Sequence, residues 1–257
     1  MKHKAETVYN RKTGAGFYHM KIKTAAKFSA KPAQFINIRV SDSYAPLLRR
    51  PFSVFDAGEN YAEIVYKVIG RATEILSEKK KNDPVDFIGP LGNSYLDFLE
   101  PETLKKNIIL VGGGTGTASV HYLAEYLRGK NIKFTLIQGA RTDEMIIMKE
   151  KLEKLGCIFC TEDGSYGIKG LAGRVLEETL KPDSVVFACG PEGMIKAVRK
   201  EARREKNTRV LASLEAYMGC GIGACISCVV AVGRKDNFEY KRVCKEGPVF
   251  DVKDVLF

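Results

Sequence analysis

Four cysteines toward the end of the chain are spaced in a way that suits an iron-sulfur cluster. The set comprises Cys220, Cys225, Cys228 and Cys244. Four, two and fifteen residues separate them in turn, and four thiolates can hold two irons joined by bridging sulfides. Gly221 and Gly223 let the backbone curl close to the sulfurs and aim its N–H groups at them. A structural zinc site, which usually takes paired Cys-x-x-Cys knuckles, and a set of buried thiols are the alternatives to the predicted 2Fe-2S cluster.

Two segments in the first third of the chain carry side chains that suit a flavin nucleotide. Arg50, Pro51, Phe52 and Ser53 follow a loop and open a predicted strand. Arginine offers a planar fork for a pyrophosphate, the aromatic ring can lie beside a flavin, and the hydroxyl can hydrogen-bond a ring nitrogen. Residues 66–73 then run from a strand into a helix start, where free N–H groups favour a diphosphate. An ordinary turn and strand is the alternative for the first segment alone.

A glycine-rich segment in the middle of the chain ends one predicted strand and opens a helix. It contains Gly112, Gly113, Gly114, Thr115 and Gly116. Without side chains the backbone can approach a nucleotide, and a helix N-terminus favours negative charge. The match to G-x-G-x-x-G is inexact because position 117 is threonine, and no acidic residue at the usual distance suits a ribose. We predict a nucleotide-binding loop, with a tight strand-to-helix turn as the alternative.

Cys189, Gly190 and Pro191 end a later strand of the same predicted sheet, at the edge where such sheets bind ligands. The polarizable thiol of Cys189 can pack beside a nicotinamide ring, or it is an ordinary buried cysteine. The sequence therefore adds these three residues to the predicted nucleotide site.

The other cysteines and the histidines suggest no further site. Cys157 and Cys160 form a Cys-x-x-Cys, but in a strand they point to opposite faces, so we predict packing roles rather than a redox pair. The histidines, isolated from any ligand set or nucleophile, are predicted to have surface or core roles; they are His3, His19 and His121.

The length and net charge of the chain limit the classes of protein to which it can belong. A chain of 257 residues, 45% of them hydrophobic, can bury the cores of two domains and a small module. The net charge of +10 raises nucleic acid as a partner. However, the basic runs at 79–81 and 199–204 have acids among or beside them, so we predict solvated helix faces and no nucleic-acid site. An odd count of seven cysteines without an apolar leader predicts a cytoplasmic protein rather than a disulfide-bonded one.

The periodicity of the chain predicts a multidomain fold of the α+β and α/β classes. Short alternating strands at 17–24, 34–40, 53–56, 62–69 and 85–88, with a helical piece at 73–81, predict a small antiparallel β-barrel over residues 1–97. Residues 98–106 are the predicted linker. Buried strands alternating with helices predict a doubly wound parallel sheet over 107–209, and the cluster module follows at 210–257. Uncharged windows at 107–124 and 216–233 are broken by glycines and hydroxyl residues, so no membrane span is predicted.

The motifs RPFS, GPLGNSY, VGGGTG, TEDGSYGIKG, ACGPEGM and SLEAYMGCGIGACISCVV occur in this order. Together they resemble the electron-transfer subunit of NAD-dependent dihydroorotate dehydrogenase, a ferredoxin-reductase-like flavoprotein family. The resemblance implies FAD in the barrel, NAD on the parallel sheet and a 2Fe-2S cluster near the C-terminus. It also implies a separate FMN-bearing catalytic subunit that oxidises dihydroorotate to orotate in pyrimidine biosynthesis, in a heterotetramer of two copies of each chain.

The resemblance also implies roles for particular residues. Residues 50–53 correspond to the flavin motif, and the four cysteines correspond to the cluster ligands. Further implied flavin contacts are Lys67, Val68, Ile69, Ala72 and Thr73. Ala72 departs from the family, which usually has glycine there, and Ser94 and Ser119 depart where glycine and proline are common.

A hydride carrier and a one-electron cluster need a flavin between them, which predicts a relay rather than catalysis on dihydroorotate in this chain. The nearest alternative is the reductase subunit of a hydrogenase or of a bifurcating ferredoxin:NAD(P) reductase. The latter often has aspartate as the first cluster ligand, where this chain has Cys220. A basic, cluster-bearing nucleic-acid regulator is the alternative from another class, and Arg141 leaves NADP open as the nucleotide.

Overall fold

The computed structural model describes residues 1–257 and begins with a closed antiparallel barrel of six strands. The strands are β1 (Lys2–Gly14), β2 (Phe17–Thr24), β3 (Phe35–Arg39), β4 (Arg50–Gly58), β5 (Tyr61–Lys67) and β6 (Pro84–Leu91). They close in the order β1-β2-β5-β4-β3-β6, and the short helix α1 (Arg71–Ser77) lies between β5 and β6. Alternate residues fill the interior, as Ile36 and Ile38 do from β3. The predicted barrel is confirmed.

A seven-stranded sheet forms the second half of the molecule. Its strands are β7 (Ile108–Gly113), β8 (Thr135–Ala140), β9 (Ile158–Thr161), β10 (Ile168–Lys169), β11 (Val185–Cys189), β12 (Arg209–Ser213) and, later in the chain, β15 (Val249–Asp251). The order is β10-β9-β8-β7-β11-β12-β15, and every pair is parallel except β12 with β15.

Four helices cover the two faces of this sheet. They are α2 (Thr117–Gly129), α3 (Lys149–Glu153), α4 (Ala172–Thr179) and α5 (Glu192–Ala202). The cores of α2 and α3 pack with Ile108 and Leu110 of β7, whereas those of α4 and α5 pack with Ile109 and Val111. Because successive strand residues point to opposite faces, the sheet is doubly wound as predicted.

The C-terminal segment both extends this sheet and adds a small one. Strands β13 (Val229–Arg234), β14 (Asn237–Arg242) and β16 (Val255–Leu256) form an antiparallel sheet in the order β14-β13-β16. Strand β15 returns to the edge of the large sheet beside β12. The predicted boundary at residue 209 therefore lies at the start of β12, a strand of the parallel sheet.

Direct contacts join the barrel to the parallel sheet. The ring of His121 on α2 stacks on Phe55 of β4 with 3.9 Å between centroids, and the Tyr122 hydroxyl donates to the Ala30 carbonyl at 2.7 Å. The stacked pair is buried and the Tyr122 hydrogen bond is half-buried, so the two units pack directly on each other beside the cleft between them. The longest helix, α2, has 13 residues, and none of the helices has the length and apolar character needed to cross a bilayer.

Candidate functional site

A single large cavity of about 780 Å³ lies between the barrel and the parallel sheet. The barrel contributes seven of the predicted flavin residues, namely Arg50, Pro51, Phe52, Ser53, Lys67, Ile69 and Thr73. The sheet contributes six predicted nucleotide residues, namely Gly113, Gly114, Thr115, Gly116, Gly190 and Pro191. The fold thus places both motifs on one cavity, although they are far apart in sequence.

Two cationic side chains face the cavity from the barrel without a carboxylate partner. The Arg50 guanidinium donates to the backbone carbonyls of Leu48 at 2.6 Å and Arg49 at 3.3 Å. The Lys67 ammonium lies 3.4 Å from the Met145 sulfur. Because neither charge is neutralised by an acid, both are available to the phosphates of a dinucleotide.

Thr73 organises the start of α1 beside these cations. Its hydroxyl oxygen accepts from the N–H groups of Ile69 at 2.9 Å and Gly70 at 3.2 Å, and it donates to the Gly70 carbonyl at 2.9 Å. The hydroxyl therefore accepts hydrogen bonds from two N–H groups of this turn. The sequence predicts free N–H groups for a diphosphate here, and these two already have a partner.

The glycine loop is shaped by close packing as much as by access for a ligand. A Cβ on Gly116 would lie 2.5 Å from the backbone carbonyl carbon of Cys189, so the loop rests directly on the end of β11. Gly114 instead has φ +54° and nothing within 4 Å of a built Cβ. Gly114 is thus the point at which the loop turns its bare backbone toward the cavity.

Four predicted contact residues do not line the cavity; they are Val68, Ala72, Gly112 and Cys189. The Cys189 thiol is fully buried in the core between the sheet and α2, and burial raises its pKa well above the usual range. Its predicted contact with a nicotinamide ring is not supported, because the side chain at the end of β11 points into the core. Ala72 packs into the barrel core in the same way.

Several cavity residues were missed by sequence reasoning. Phe35 reaches the cavity from β3, Glu162 from the end of β9, and Glu215 from the segment after β12. Desolvation by the surrounding protein raises the pKa of the Glu215 carboxyl above its usual range. Glu162 and Glu215 both lie in motifs that carried the family resemblance, and their positions at the ends of predicted strands were the available signal.

The four cysteines lie in and beside a loop whose N–H groups point at sulfur. Cys225 N–H donates to the Cys220 sulfur at 3.3 Å and Gly223 N–H to the Cys244 sulfur at 3.1 Å. Gly221 and Gly223 have φ of +69° and +81°, values that favour glycine. The predicted donation of backbone N–H groups to the sulfurs is confirmed.

The environments of the thiols differ across this cluster loop, which we define as residues 219–228. Donation from Cys225 N–H lowers the pKa of Cys220 to about 6, whereas burial and the neighbouring Cys228 raise the pKa of Cys244 to about 12. The N–H groups directed at Cys220 and Cys244 suit ligand sulfurs that carry negative charge, as the thiolates of a two-iron cluster do.

The comparisons with known proteins follow this architecture. Residues 215–256 match the family model described as the iron-sulfur cluster binding domain of dihydroorotate dehydrogenase B, and residues 110–200 match the oxidoreductase NAD-binding domain. The predicted iron-sulfur and NAD-binding domains are thereby confirmed, and the zinc and buried-thiol alternatives are not supported. With the barrel, these domains define a ferredoxin-reductase-like oxidoreductase.

Within this class the chain belongs to the family of electron transfer subunits of dihydroorotate dehydrogenase B (NAD(+)). The subunit from Caldanaerobacter subterraneus subsp. tengcongensis is 38% identical over 257 residues, covering 100% of this chain and 99% of the relative. The Bacillus pumilus subunit is 37% identical, covering 96% and 95%.

Two solved structures extend the comparison. A structure of NADH-dependent reduced ferredoxin-NADP oxidoreductase, which performs flavin-based electron bifurcation, has a TM-score of 0.82 at 29% identity, with 98% of this chain and 89% of that chain covered. The ferredoxin NADP+ reductase of Neisseria gonorrhoeae, solved with FAD and NADP, has a TM-score of 0.68 at 15% identity, covering 83% and 99%. The second comparison shows the fold alone.

Proposed function

We propose that this chain carries electrons between an iron-sulfur cluster and NAD+ as the electron transfer subunit of a dihydroorotate dehydrogenase. The observation that carries the proposal is the single cavity where the barrel motif meets the glycine loop, with the cluster loop packed against β3 beside it. The cofactors are FAD, NAD and a 2Fe-2S cluster. A flavin, when bound, supplies the exchange between two-electron hydride chemistry and one-electron transfer.

The residues of the barrel hold and orient the FAD. Arg50 and Lys67 direct their unpaired charges at its phosphates, and the Ser53 hydroxyl is placed to hydrogen-bond the ring system. Further contacts come from Pro51, Phe52, Ile69 and Thr73, which line the cavity, and the family resemblance adds Val68 and Ala72. These assignments rest on the family resemblance and, for the cavity-lining residues, on their position.

The residues of the parallel sheet hold the NAD. The backbone at Gly114 opens to the cavity beside the N-terminal end of α2, where N–H groups and the helix dipole favour a pyrophosphate. Gly190 and Pro191 form the neighbouring wall. Glu215, at the same cavity and with a raised pKa, is placed to hold a proton or accept a hydrogen bond from the nucleotide.

The four cysteines are the proposed cluster ligands. The N–H groups that already point at Cys220 and Cys244 would stabilise negative charge on the ligand sulfurs and so tune the cluster. The family resemblance assigns the oxidation of dihydroorotate to a separate FMN-bearing catalytic subunit, so we propose that this chain assembles with such a subunit in a heterotetramer of two copies of each chain.

Exposed apolar side chains on the cluster loop and just before it support such a partner. The side chains of Tyr217, Ile222 and Ile226 are 96%, 52% and 79% exposed. Large apolar groups gathered beside a redox centre are typical of a protein interface. Free thiols at all seven cysteines fit a reducing compartment, so we also propose that the assembly is cytoplasmic.

The test is co-expression with a dihydroorotate dehydrogenase catalytic subunit, followed by an assay for orotate formation with NAD+. Purified anaerobically, the chain should show flavin absorbance, a rhombic electron paramagnetic resonance signal on reduction, and about two irons per chain. An assembly that reduces NADP+ with NADH and reduced ferredoxin but forms no orotate would instead favour the bifurcating reductase, to which the chain is 29% identical.

A cysteine substitution tests the order of the relay. Cys225→Ser should abolish electron transfer to the catalytic subunit while NADH oxidation by an artificial dye continues through the flavin. Cys157→Ser is the matched control, because Cys157 lies immediately before β9, packs on the core of the parallel sheet and is outside the cluster loop. Equal loss of both activities in Cys225→Ser would contradict the order of cluster, flavin and nucleotide.

A further inference from the structure

Asn37 on β3 lies where the barrel meets the cluster loop. Its amide nitrogen donates to the Cys220 carbonyl at 3.4 Å, and no other side chain of the barrel hydrogen-bonds residues 219–228. On the neighbouring strand, Asn37 is paired with Pro51 of the flavin motif. One residue thus contacts the first cluster ligand and the strand that lines the flavin site.

The outer face of β3 connects the two sites. Ile36 and Ile38 point into the barrel core, so Phe35 and Asn37 point outward. Phe35 lines the cavity and also packs in the core cluster that contains Cys228 and Cys244. Phe35 thus lines the cavity and belongs to the same packed core as two of the cluster ligands, and Asn37 holds the loop two residues further along the strand.

Asn37 is costly to bury, which indicates a specific role. The residue is 0% exposed, and its Oδ1 is buried with no hydrogen-bond partner. An apolar residue would satisfy the packing without leaving a buried acceptor unpaired. Rotating the amide would only place Oδ1 against the Cys220 carbonyl, so the nitrogen must face the loop.

The loop approaches Asn37 as closely as a backbone can. A Cβ on Gly221 would lie 2.2 Å from the Asn37 amide nitrogen, so only glycine permits the contact. On the other side, the Arg242 guanidinium donates to the Gly223 carbonyl at 2.6 Å. The loop is thus held at two carbonyls, once from within its own module by Arg242 and once from the barrel by Asn37.

From this geometry we propose that Asn37 is a positioning residue that sets the placement of the 2Fe-2S cluster relative to the flavin and tunes its potential. The inference rests on the proposed function, since it needs the cluster to be bound. The Asn37 N–H places partial positive charge beside Cys220, which favours the reduced, more negative cluster. Its loss should therefore make the cluster harder to reduce and loosen the loop.

Two variants test this proposal in the anaerobically purified, cofactor-loaded chain. Asn37→Leu removes the donor, and Asn37→Asp keeps the shape while replacing the donor with an acid. Both variants should lower the midpoint potential of the cluster by at least about 28 mV, which corresponds to a threefold change in the equilibrium constant for one-electron reduction. The aspartate variant should show the larger shift. Both should also shift the g values, and the amides of residues 219–225 should exchange hydrogen at least tenfold faster. Iron and flavin contents confirm equal loading.

Asn107 supplies the matched control. Its amide nitrogen donates to the Thr179 carbonyl at 3.3 Å and the Ser184 hydroxyl oxygen at 2.9 Å, so it makes the same kind of contact just before β7 without touching the cluster loop or the C-terminal segment. Asn107→Leu should keep the parent's g values and potential. If the Asn37 variants also keep the parent's g values, midpoint potential and hydrogen-exchange rates, Asn37 has only a packing role and the proposal is wrong. A parent chain without a rhombic signal would overturn the proposed function itself.

Discussion

His121 is a buried titratable residue at the contact between barrel and sheet. It is 2% exposed, stacks on Phe55, and its Nδ1 lies 3.2 Å from the Phe55 carbonyl. Its Nε2 has no hydrogen-bond partner, and the Glu125 carboxylate is 3.7 Å away. Burial lowers the pKa of His121 from 6.5 to about 4. Lys151, Glu63 and His19 are the other ionisable groups close to this contact.

The lowered pKa of His121 predicts a loss of stability in mild acid. Between pH 6.5 and pH 4 the unfolded chain binds a proton at this residue and the folded chain does not, so the free energy of unfolding falls as pH falls. From pH 7 to pH 5 this residue alone should cost about 2 kcal/mol. Urea unfolding at both pH values measures the loss.

His121→Gln is the variant that isolates this contribution. Glutamine can still donate to the Phe55 carbonyl but does not titrate. The variant should be less stable than the parent at pH 7, because the stacking is lost. Between pH 7 and pH 5, however, its free energy of unfolding should fall by about 2 kcal/mol less than that of the parent. Glu63, whose pKa is lowered to about 2, does not interfere, since its contribution is lost only below about pH 4.5. Identical pH dependence in both proteins would contradict the assignment.

At the scale of elements, two glycines in the turn from β7 into α2 have different roles. Gly116 is needed for close packing, whereas Gly114 leaves the backbone accessible to a ligand. Gly116→Ala would drive a methyl into the Cys189 backbone and should cost roughly 1–3 kcal/mol of stability. Gly114→Ala meets open space and should cost only about 1 kcal/mol for its positive φ. Its methyl should still raise the KM for NADH at least tenfold, because it lies where the backbone opens to the cavity.

Urea midpoints and NADH-to-dye kinetics on both variants distinguish these effects. Each glycine serves as the control for the other, since they are two residues apart in the same turn. The interpretation is wrong if Gly114→Ala keeps the parent KM, or if Gly116→Ala is as stable as the parent.

Periodicity was sufficient to predict most elements but not those defined by distant partners. Strand β2 was predicted with its observed bounds, whereas β1 was missed because residues 2–14 are mostly charged or polar. Only its pairing with β2 and β6 buries His3, Ala5 and Thr7. The sequence pattern over residues 143–155 predicts one continuous helix, but the left-handed backbone of Met148, φ +50°, restricts α3 to Lys149–Glu153.

The site was predictable where a motif carries its own chemistry. Arg50, Ser53 and Gly114 reach the cavity as predicted, because each stands at an element end that the local sequence defines. Phe35 and Asn37 could not be predicted, since their roles arise from how the C-terminal segment folds back onto the barrel. The direction of the Cys189 side chain could not be predicted either, because it depends on the register of β11 within the sheet.

At the scale of the whole molecule, the cluster loop lies on the outside of the relay. The cavity opens between barrel and sheet, Phe35 belongs both to its lining and to the core that holds Cys228 and Cys244, and the cluster loop carries exposed apolar side chains. The loop between β3, which carries Asn37, and β4 adds Tyr44 and Leu47, which are 92% and 74% exposed. This sequence of sites predicts that the catalytic subunit docks over the cluster loop.

Ile226→Glu tests the docking face directly. Ile226 is 79% exposed and lies between two proposed ligands, so the variant should fold and load its cofactors like the parent. Burying the new charge against a partner should weaken the complex at least tenfold, about 1.4 kcal/mol. Titration calorimetry with the purified catalytic subunit measures this. Ile168→Glu is the matched control, because Ile168 is 42% exposed on β10 at the opposite edge of the seven-stranded sheet. Equal affinities for the two variants would place the partner elsewhere and leave the cluster loop facing solvent in the assembly.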